Sequence, residues 1–486
     1  MAGIADDTRR RLASVLPLTI ATVVAVDIAG ARAYDSRTFG HLGYATFSAI
    51  LLGALALLWL RAKAGPSPGT AWARWLGILA VAAAGTSIHV RGILGPGPLF
   101  TLGVLAAAGV VIMVVGIATN RTPALLGGAI VSGLALRAFE FKLTPIAPPQ
   151  GDMLPLVVLA VTNTLNGQPP YRMYHMPWDV PLTYMPLCWL AYAPLLLAGF
   201  DPRWTNTLAD IAVLGAIYFA GRRYDDKTLR NAAACLWAAW FVAHRIVKYD
   251  AGIAAEVQWA ALSWLAALAV ERNRWTPAVF GAALATTPLA LPLAPSIAVA
   301  WHRAWNRPAS ARPHRSNARP LLRATLIAAS VGAALIGPWL LWCPNEFVAG
   351  VFLWFNDIDR FPREKWLENR AWIVHPGLAG LFWTLHGERL LKPLQALVTA
   401  GLAVLYARKT AATGPRATLG GELVAVFLLF LLFNPMVWAY LWEPGVCLAL
   451  VALSCTRPRP PSASSPRTTP EPLRADPFIS DERPSA

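Results

Sequence analysis

The sequence predicts an all-α, polytopic integral membrane protein with about twelve transmembrane helices. Of its 486 residues, 56% are hydrophobic and only 14% are charged, whereas a soluble domain carries about 25% charged residues. The mean hydropathy is +0.47. Apolar segments of about 20 residues, the length that crosses a bilayer as a helix, recur along most of the chain. These observations leave no room for a large soluble domain.

Charge and cysteine usage exclude other classes. The net charge is +16, but the basic residues lie in short segments between apolar ones, which is typical of cytoplasmic loops. Because they do not gather on one folded face, we expect no nucleic-acid partner. The five cysteines are scattered without a CxxC pair, so neither a zinc site nor a disulfide framework is indicated. We expect no metal and no cofactor.

The N-terminal spans fix the predicted sidedness. The triplet Arg9-Arg10-Arg11 precedes the first span and places the N-terminus inside. Five crossings then place the chain outside at about residue 140, so that the following loop, to about residue 180, is extracytoplasmic. The five predicted spans are 12–33, 43–60, 75–91, 97–118 and 122–139.

Asp152 opens the most informative segment of that loop. Residues 152–166 are apolar but too short to cross, and they are typical of an interfacial helix lying along the membrane. Gly167 and Pro169-Pro170 end it. An acidic side chain near a bilayer is costly, so Asp152 is by default a functional-site hypothesis. The alternative is that Asp152 only caps the helix, since Asp is a favoured N-cap residue.

The later segments are less regular. Residues 181–199 contain three prolines, and a crossing there would place Arg222 and Arg223 outside, so we favour a re-entrant or interfacial segment. Residues 276–300 contain four prolines and are predicted to be broken, which is tolerated where the backbone is buried or lines a cavity. The tail, 456–486, is rich in Pro, Ser and Arg and is predicted to be disordered. The remaining predicted spans are 204–220, 229–247, 252–270, 321–342, 388–406, 421–434 and 436–454, with a second long outer loop at 343–387.

Soluble-enzyme motifs are missing from the sequence. It contains no GxSxG, HExxH, P-loop or GxGxxG pattern. A sugar donor used on the outer face would then have to arrive on a lipid phosphate rather than on a cytoplasmic nucleotide. Arginines on that face suit such a donor, because guanidinium matches phosphate oxygens bidentately. Asp357 and Asp359 have metal-like spacing, but a solvated loop explains them better.

The order of several features resembles the GT-C superfamily of membrane glycosyltransferases, and within it the bacterial polyprenyl-phosphate-mannose-dependent mannosyltransferases. The likeness covers about residues 122–455, the predicted catalytic core, and implies that the first four spans, residues 1–121, are an N-terminal addition. Thr286-Thr287-Pro288 departs from the family's Lys before a Pro, and the family's Tyr-Pro-Pro is absent; both bear on the donor rather than on the fold. The matching features are the outer-loop Asp152, Gly167-Gln168-Pro169-Pro170-Tyr171, Pro181 to Pro186 with Tyr184, Glu256-Val257-Gln258, and Asn434-Pro435-Met436-Val437-Trp438.

The resemblance implies a transferase on the extracytoplasmic face of a bacterial inner membrane. It would move a hexose, mannose by preference, from polyprenyl phosphate to a hydroxyl of a lipid-linked or cell-envelope glycan. Asp152 would be the general base. Arg245, Lys248 and Arg172 would bind the donor phosphate. Tyr171, His175, Glu256 and Gln258 would contact the acceptor or sugar.

Simpler explanations exist for some of these residues. Arg245 at a span end could be snorkelling to the interface, and Glu256 with Gln258 could merely start a helix. The alternative function is a transporter or lipid flippase whose broken helix at 276–300 lines a pathway. An inactive scaffold with a transferase-like fold is a third possibility.

Overall fold

The fold is that of a computed structural model. The ranges that it describes are residues 69–91, 97–177, 179–222, 227–305, 319–354, 382, 387–413, 419–434 and 439–455. The predicted spans 12–33 and 43–60, the tail 456–486, most of the loop 343–387 and the Pro-x-x-Trp turn lie outside these ranges.

The described chain is almost entirely helical, as the sequence predicts. A single two-stranded antiparallel hairpin, β1 (Met173–His175) with β2 (Asp179–Pro181), is the only sheet among these residues. The helices are α1 Gly69–Arg91, α2 Pro98–Ala118, α3 Thr122–Leu143, α4 Met153–Leu165, α5 Pro186–Leu190, α6 Ala193–Leu197, α7 Trp204–Gly221, α8 Lys227–Phe241, α9 His244–Gly252, α10 Glu256–Val270, α11 Thr276–Thr286, α12 Ala294–Trp305, α13 Arg319–Trp342, α14 Pro344–Val348, α15 Leu391–Thr413, α16 Leu419–Leu432 and α17 Glu443–Ser454.

Three described helices, α2, α3 and α13, are long and apolar enough to cross a membrane. A fourth span is formed if α9 and α10 are counted together, although they are bent by 114° at a short break. The membrane character of the chain is therefore supported by the structure. The count of about twelve spans stays a prediction.

The pair α2 and α3 packs through glycines. A Cβ on Gly109 would lie 2.6 Å from the backbone nitrogen of Ser132, and a Cβ on Gly128 would lie 2.5 Å from the carbonyl oxygen of Gly109. Both distances are below van der Waals contact, so the two backbones can approach only because neither residue has a side chain. Small residues at such crossings are typical of helix pairs in membranes, where close packing replaces the hydrophobic drive.

The outer-loop segment has the predicted helix. The helix α4 ends at a Schellman motif, in which the amide of Gly167 donates to the Thr164 carbonyl and that of Gln168 donates to the Asn163 carbonyl. Gly167 has φ +72°, a left-handed conformation that glycine adopts easily because it has no Cβ atom to clash with the backbone. The hairpin β1–β2 follows this turn and was not predicted, because the three-residue strands are too short to show an alternating pattern.

Two predicted span boundaries are wrong. The span predicted at 229–247 ends at Phe241, and the span predicted at 252–270 begins at Glu256. The chain between Gly252 and Glu256 is unwound, and the side-chain amide of Asn206 donates to the Ile253 carbonyl at 2.6 Å. Asn206, on α7, thus bonds a carbonyl that would otherwise be bonded within an α-helix. Because this carbonyl keeps a partner, the break is tolerated in the protein interior.

The proline-rich segments break as expected. Residues 181–199 contain only the short helices α5 and α6, each with a proline in its first turn. In the 276–300 segment, α11 ends at Thr286 and a 3-10 turn at Pro288–Leu293 connects it to α12. The break predicted there is confirmed.

The helix α10 lies at the centre of the described fold. It packs against α7, α11, α16 and α17, and its buried residues belong to one continuous apolar core. Its N-terminus, at the break with α9, is where the polar groups of the protein converge.

Gly128 allows a clean test of the α2–α3 contact. We expect Gly128→Ala to destabilise the protein by about 1–3 kcal/mol, the usual cost of forcing atoms into a packed interface. Its neighbour Gly127 has open space where a Cβ would go, so Gly127→Ala is the matched control and should be neutral or stabilise by about 0.5–1 kcal/mol. Thermal unfolding of both variants in detergent measures the difference. Equal unfolding temperatures would contradict the packing.

Candidate functional site

Asp152 occupies the N-cap position of α4, with φ −79° and ψ −19°. Within the described residues 151–165, its side chain makes no capping hydrogen bond to the helix. The carboxylate is half-buried rather than solvated. The side chain of Asp152 therefore does not cap α4 by a hydrogen bond.

Gly151 fixes where Asp152 lies. A Cβ on Gly151 would come within 2.2 Å of the Gly252 carbonyl oxygen, and its φ is +154°. Only glycine tolerates this contact. The backbone beside Asp152 is consequently pressed against the last residue of α9, at the break that precedes α10.

Two phenols neighbour the Asp152 carboxylate. Asp152 lies close enough to Tyr184 and Tyr440 for its charge to act on both rings. Burial raises the pKa of the Tyr184 phenol well above its ordinary value, and the neighbouring Tyr440 and Asp152 add to the effect. Tyr184 thus stays neutral and keeps a hydroxyl proton to donate.

Arg245 carries the cationic side of the site. Its Nη2 atom lies 2.9 Å from Glu443 Oε1. Nε and Nη2 both donate to the Tyr249 hydroxyl, at 3.2 and 2.8 Å respectively. Trp240 Nε1 donates to the other oxygen of Glu443 at 3.1 Å. The side chain of Arg245 is only 18% exposed, so most of its surface is enclosed by the protein.

The other predicted phosphate-binding residues lie differently. Lys248 is exposed. Arg172 is also exposed and lies beside α4, with Nη1 3.3 Å from Gln168 Oε1 and its guanidinium 5.4 Å from the Tyr174 ring. Only Arg245 combines partial burial with a fixed geometry.

Tyr171 and His175 are occupied by partners within the loop. The buried Tyr171 hydroxyl donates to the Tyr184 carbonyl at 2.9 Å and accepts from Trp189 Nε1 at 3.2 Å. Burial raises the pKa of this phenol well above its ordinary value, so it remains neutral. His175 pairs with Asp179 across the hairpin at 2.7 Å, and both side chains are exposed. Tyr171 is better suited to position Tyr184 than to bind a sugar.

Glu256 and Gln258 are buried at the first turn of α10. Glu256 Oε2 accepts from the Ala255 amide at 2.9 Å, and Gln258 Nε2 donates to Cys188 Sγ at 3.5 Å. The helix-start explanation therefore describes Glu256 well. Neither side chain faces solvent, so the sugar contacts predicted for them stay a prediction that the static geometry does not favour.

Beneath this site lies an inner cluster of four side chains with no exposed surface, of which the sequence analysis selected only Glu256: Arg137, Asp210, Asp250 and Glu256. Arg137 Nη2 donates to Asp210 Oδ2 at 2.8 Å and Nε donates to Asp250 Oδ2. Its Nη1 donates to the Phe241 carbonyl at 2.7 Å. The signal was present, because an ionisable residue inside an apolar span marks a candidate site.

Asn206 and Tyr192 connect the inner cluster to the break. The Tyr192 hydroxyl donates to Asn206 Oδ1, and Asn206 Nδ2 donates to the Ile253 carbonyl. The hydroxyl of Thr207, the next residue of α7, lies 3.3 Å from Asp250 Oδ2. The outer site around Asp152 and the inner cluster are thus parts of one polar region on both sides of the break.

No group of three His, Cys, Asp or Glu side chains among the described residues could hold a metal ion.

Comparison with known proteins gave no match for this chain among protein-family models, curated proteins or solved structures.

Arg137 should be needed for folding. Replacing it by Met leaves Asp210 and Asp250 buried without their cation, and breaking a buried ion pair from one side costs about 3–5 kcal/mol. We expect Arg137→Met to lower the unfolding temperature in detergent markedly. The exposed Arg172→Met should stay within about 0.5 kcal/mol of wild type. A stable, monodisperse Arg137→Met protein would contradict this structural role.

Proposed function

We propose that the protein is a GT-C-type membrane glycosyltransferase that moves a hexose from polyprenyl phosphate to an acceptor hydroxyl. The observation that carries the proposal is the placement of Asp152. It is a half-buried carboxylate that does not cap its own helix and that lies beside two phenols, Tyr184 and Tyr440. Tyr440 is also within electrostatic range of Tyr249, whose hydroxyl accepts hydrogen bonds from the cationic Arg245.

Asp152 acts in this proposal as the general base. Its carboxylate takes the proton of the acceptor hydroxyl as that oxygen attacks the anomeric carbon. The bond between the anomeric carbon and the phosphate oxygen breaks, and the polyprenyl phosphate leaves with the electron pair. Positive charge develops on the sugar ring, as in other glycosyl transfers. Neutral Tyr184 can donate a hydrogen bond to a sugar hydroxyl beside the base.

Arg245 stabilises the leaving phosphate. Its guanidinium has five N–H donors, and the two that bond Tyr249 share a single acceptor oxygen. Nη2 also lies 2.9 Å from Glu443, whereas Nη1 has no partner among the described residues and is assigned here to a phosphate oxygen. Donors fixed before the reaction stabilise developing charge best. Lys248 and Arg172, both exposed, are assigned to steering of the anionic headgroup rather than to the transfer step.

The remaining parts of the proposal follow the sequence. They are the twelve-span topology, the GT-C fold, the extracytoplasmic side of a bacterial inner membrane, mannose as the sugar, and a lipid-linked or cell-envelope glycan as the acceptor. The broken α9–α10 pair and the apolar spans support a substrate delivered through the bilayer.

Replacing Asp152 tests the base. Asp152→Asn keeps the shape but cannot accept the proton, so we expect sugar transfer in membranes to fall about 10²–10⁴-fold, the usual contribution of general-base catalysis. Glu346→Gln is the matched control, because Glu346 is an exposed carboxylate on the predicted outer face. The assay follows transfer of radiolabelled sugar from polyprenyl-phosphate mannose. Undiminished transfer by Asp152→Asn would falsify the base assignment.

Arg245→Lys tests the phosphate contact. A lysine keeps the charge but loses the planar fork, so we expect kcat/KM for the lipid-phosphate donor to fall about 10- to 100-fold, in line with about 1.5–3 kcal/mol for a charged hydrogen bond. Arg323→Lys, an exposed arginine on α13, serves as the control. Equal loss with both variants would mean that Arg245 has no specific role in the reaction.

A transporter or lipid flippase is the second candidate, and the inner cluster favours it. Ionisable side chains buried in membrane helices are typical of ion and proton pathways. Helices broken near their middle, such as α9–α10, are typical of substrate sites in transporters. Proteoliposomes separate the two functions. Lipid flipping that persists in Asp152→Asn, together with no sugar transfer by wild type, would decide for the second candidate.

A further inference from the structure

The inner cluster has more acid than base. Asp210, Asp250 and Glu256 stand against the single guanidinium of Arg137, and all four side chains are fully buried. If every group were ionised, the cluster would carry two uncompensated negative charges in an apolar interior. Uncompensated buried charge is strongly unfavourable, so it is neutralised or paired.

The hydrogen bonds show which oxygens lack a donor. Asp250 Oδ2 is occupied by Arg137 and by the Thr207 hydroxyl, and Glu256 Oε2 is occupied by the Ala255 amide. Asp250 Oδ1, Glu256 Oε1 and Asp210 Oδ1 are buried without a hydrogen-bond donor among the described residues.

The Asp250 and Glu256 side chains are nevertheless within hydrogen-bonding reach of each other. Two ionised carboxylates have no proton to share, since each is only an acceptor. The contact becomes a bond when one of the two groups is protonated.

We propose that Asp250 and Glu256 form a buried proton-binding site at the break between α9 and α10, in which one proton bridges Asp250 Oδ1 and Glu256 Oε1. The proton comes from water and no other bond changes. Asp210 takes a second proton on Oδ1, so that the cluster as a whole balances the charge of Arg137. The site goes beyond the transferase proposal and does not depend on it.

Neighbouring groups do not supply the missing charge. On α9, Arg245 is paired with Glu443 and Lys248 is exposed. The groups that act on the cluster from α5, from the residue before α6 and from α17 carry no positive charge. They are Cys188, Tyr192, Glu443 and Cys447.

The bridge would hold the break in one shape. Asp250 lies on α9 and Glu256 begins α10, so a shared proton links the two helices across the unwound residues 253–255. Gly252, the last residue of α9, contacts Gly151. Loss of the proton would place two like charges together at the point on which the Asp152 loop rests.

Infrared spectroscopy of the full-length protein in lipid nanodiscs tests the site. At neutral pH we expect the carbonyl stretch of a protonated carboxylic acid in wild type. The band should be diminished in Glu256→Gln. It should be unchanged in Glu346→Gln, the control, because the wild-type Glu346 carboxylate is exposed. Absence of the band in wild type, or a band of wild-type intensity in Glu256→Gln, would overturn the proposal.

A stability measurement keeps the test decisive if Glu256→Gln folds poorly. The folded protein binds more protons at this site than the unfolded chain, so wild-type stability should fall as pH rises above neutral. In Asp250→Asn, the amide N–H can donate a hydrogen bond to Glu256, so no additional proton has to be bound. The stability of this variant should therefore fall less steeply over the same pH range. Identical slopes would overturn the proposal. Stabilisation by sodium ions at constant pH would likewise overturn it, in favour of a cation site.

Discussion

The structure around the proposed site depends on Arg137. Its guanidinium, on α3, is bonded to Asp210 on α7, to Asp250 on α9 and to the backbone of Phe241 at the end of α8. Four helices thus share one cation in a region from which water is excluded. In such surroundings, removing one partner is strongly destabilising, because an unpaired charge then remains buried in the protein interior. This explains why α9 is held short and tilted instead of continuing as a straight span.

The outer site is positioned by that arrangement. Asn206, one turn before Asp210 on α7, satisfies the carbonyl of Ile253 in the unwound stretch, so the break does not leave an open backbone group. The break in turn presents Gly252 to Gly151, and no side chain fits between them. Asp152 follows directly. A cluster of buried charges, a broken helix and a half-buried carboxylate are consequently three parts of one structure, and a transferase or a transporter would use them differently.

Several features were open to prediction because they depend on local chemistry. The helix after Asp152 and its end at Gly167 follow from apolar periodicity and a left-handed glycine, and the break before Pro288 follows from proline's missing amide. The exact start of α10 was not predictable, since Gly252 to Glu256 unwinds only because Asn206 is there to bond it. Arg137 and Asp210 are charged residues within apolar spans, but their pairing was not predictable, because they lie on different helices and 73 positions apart in the chain.

The sequence by itself determined that the protein is helical and membrane-like, and that Asp152 precedes an apolar helix that ends at Gly167. These are properties of composition and of neighbours along the chain. Only the tertiary structure decided which side chains share a site. It brought Asp152 to Tyr184 and Tyr440, paired Arg245 with Glu443, and left Lys248 and Arg172 at the surface. The physical reason is that contacts between residues hundreds of positions apart depend on how helices cross, and that is set by packing and buried charge rather than by any local pattern.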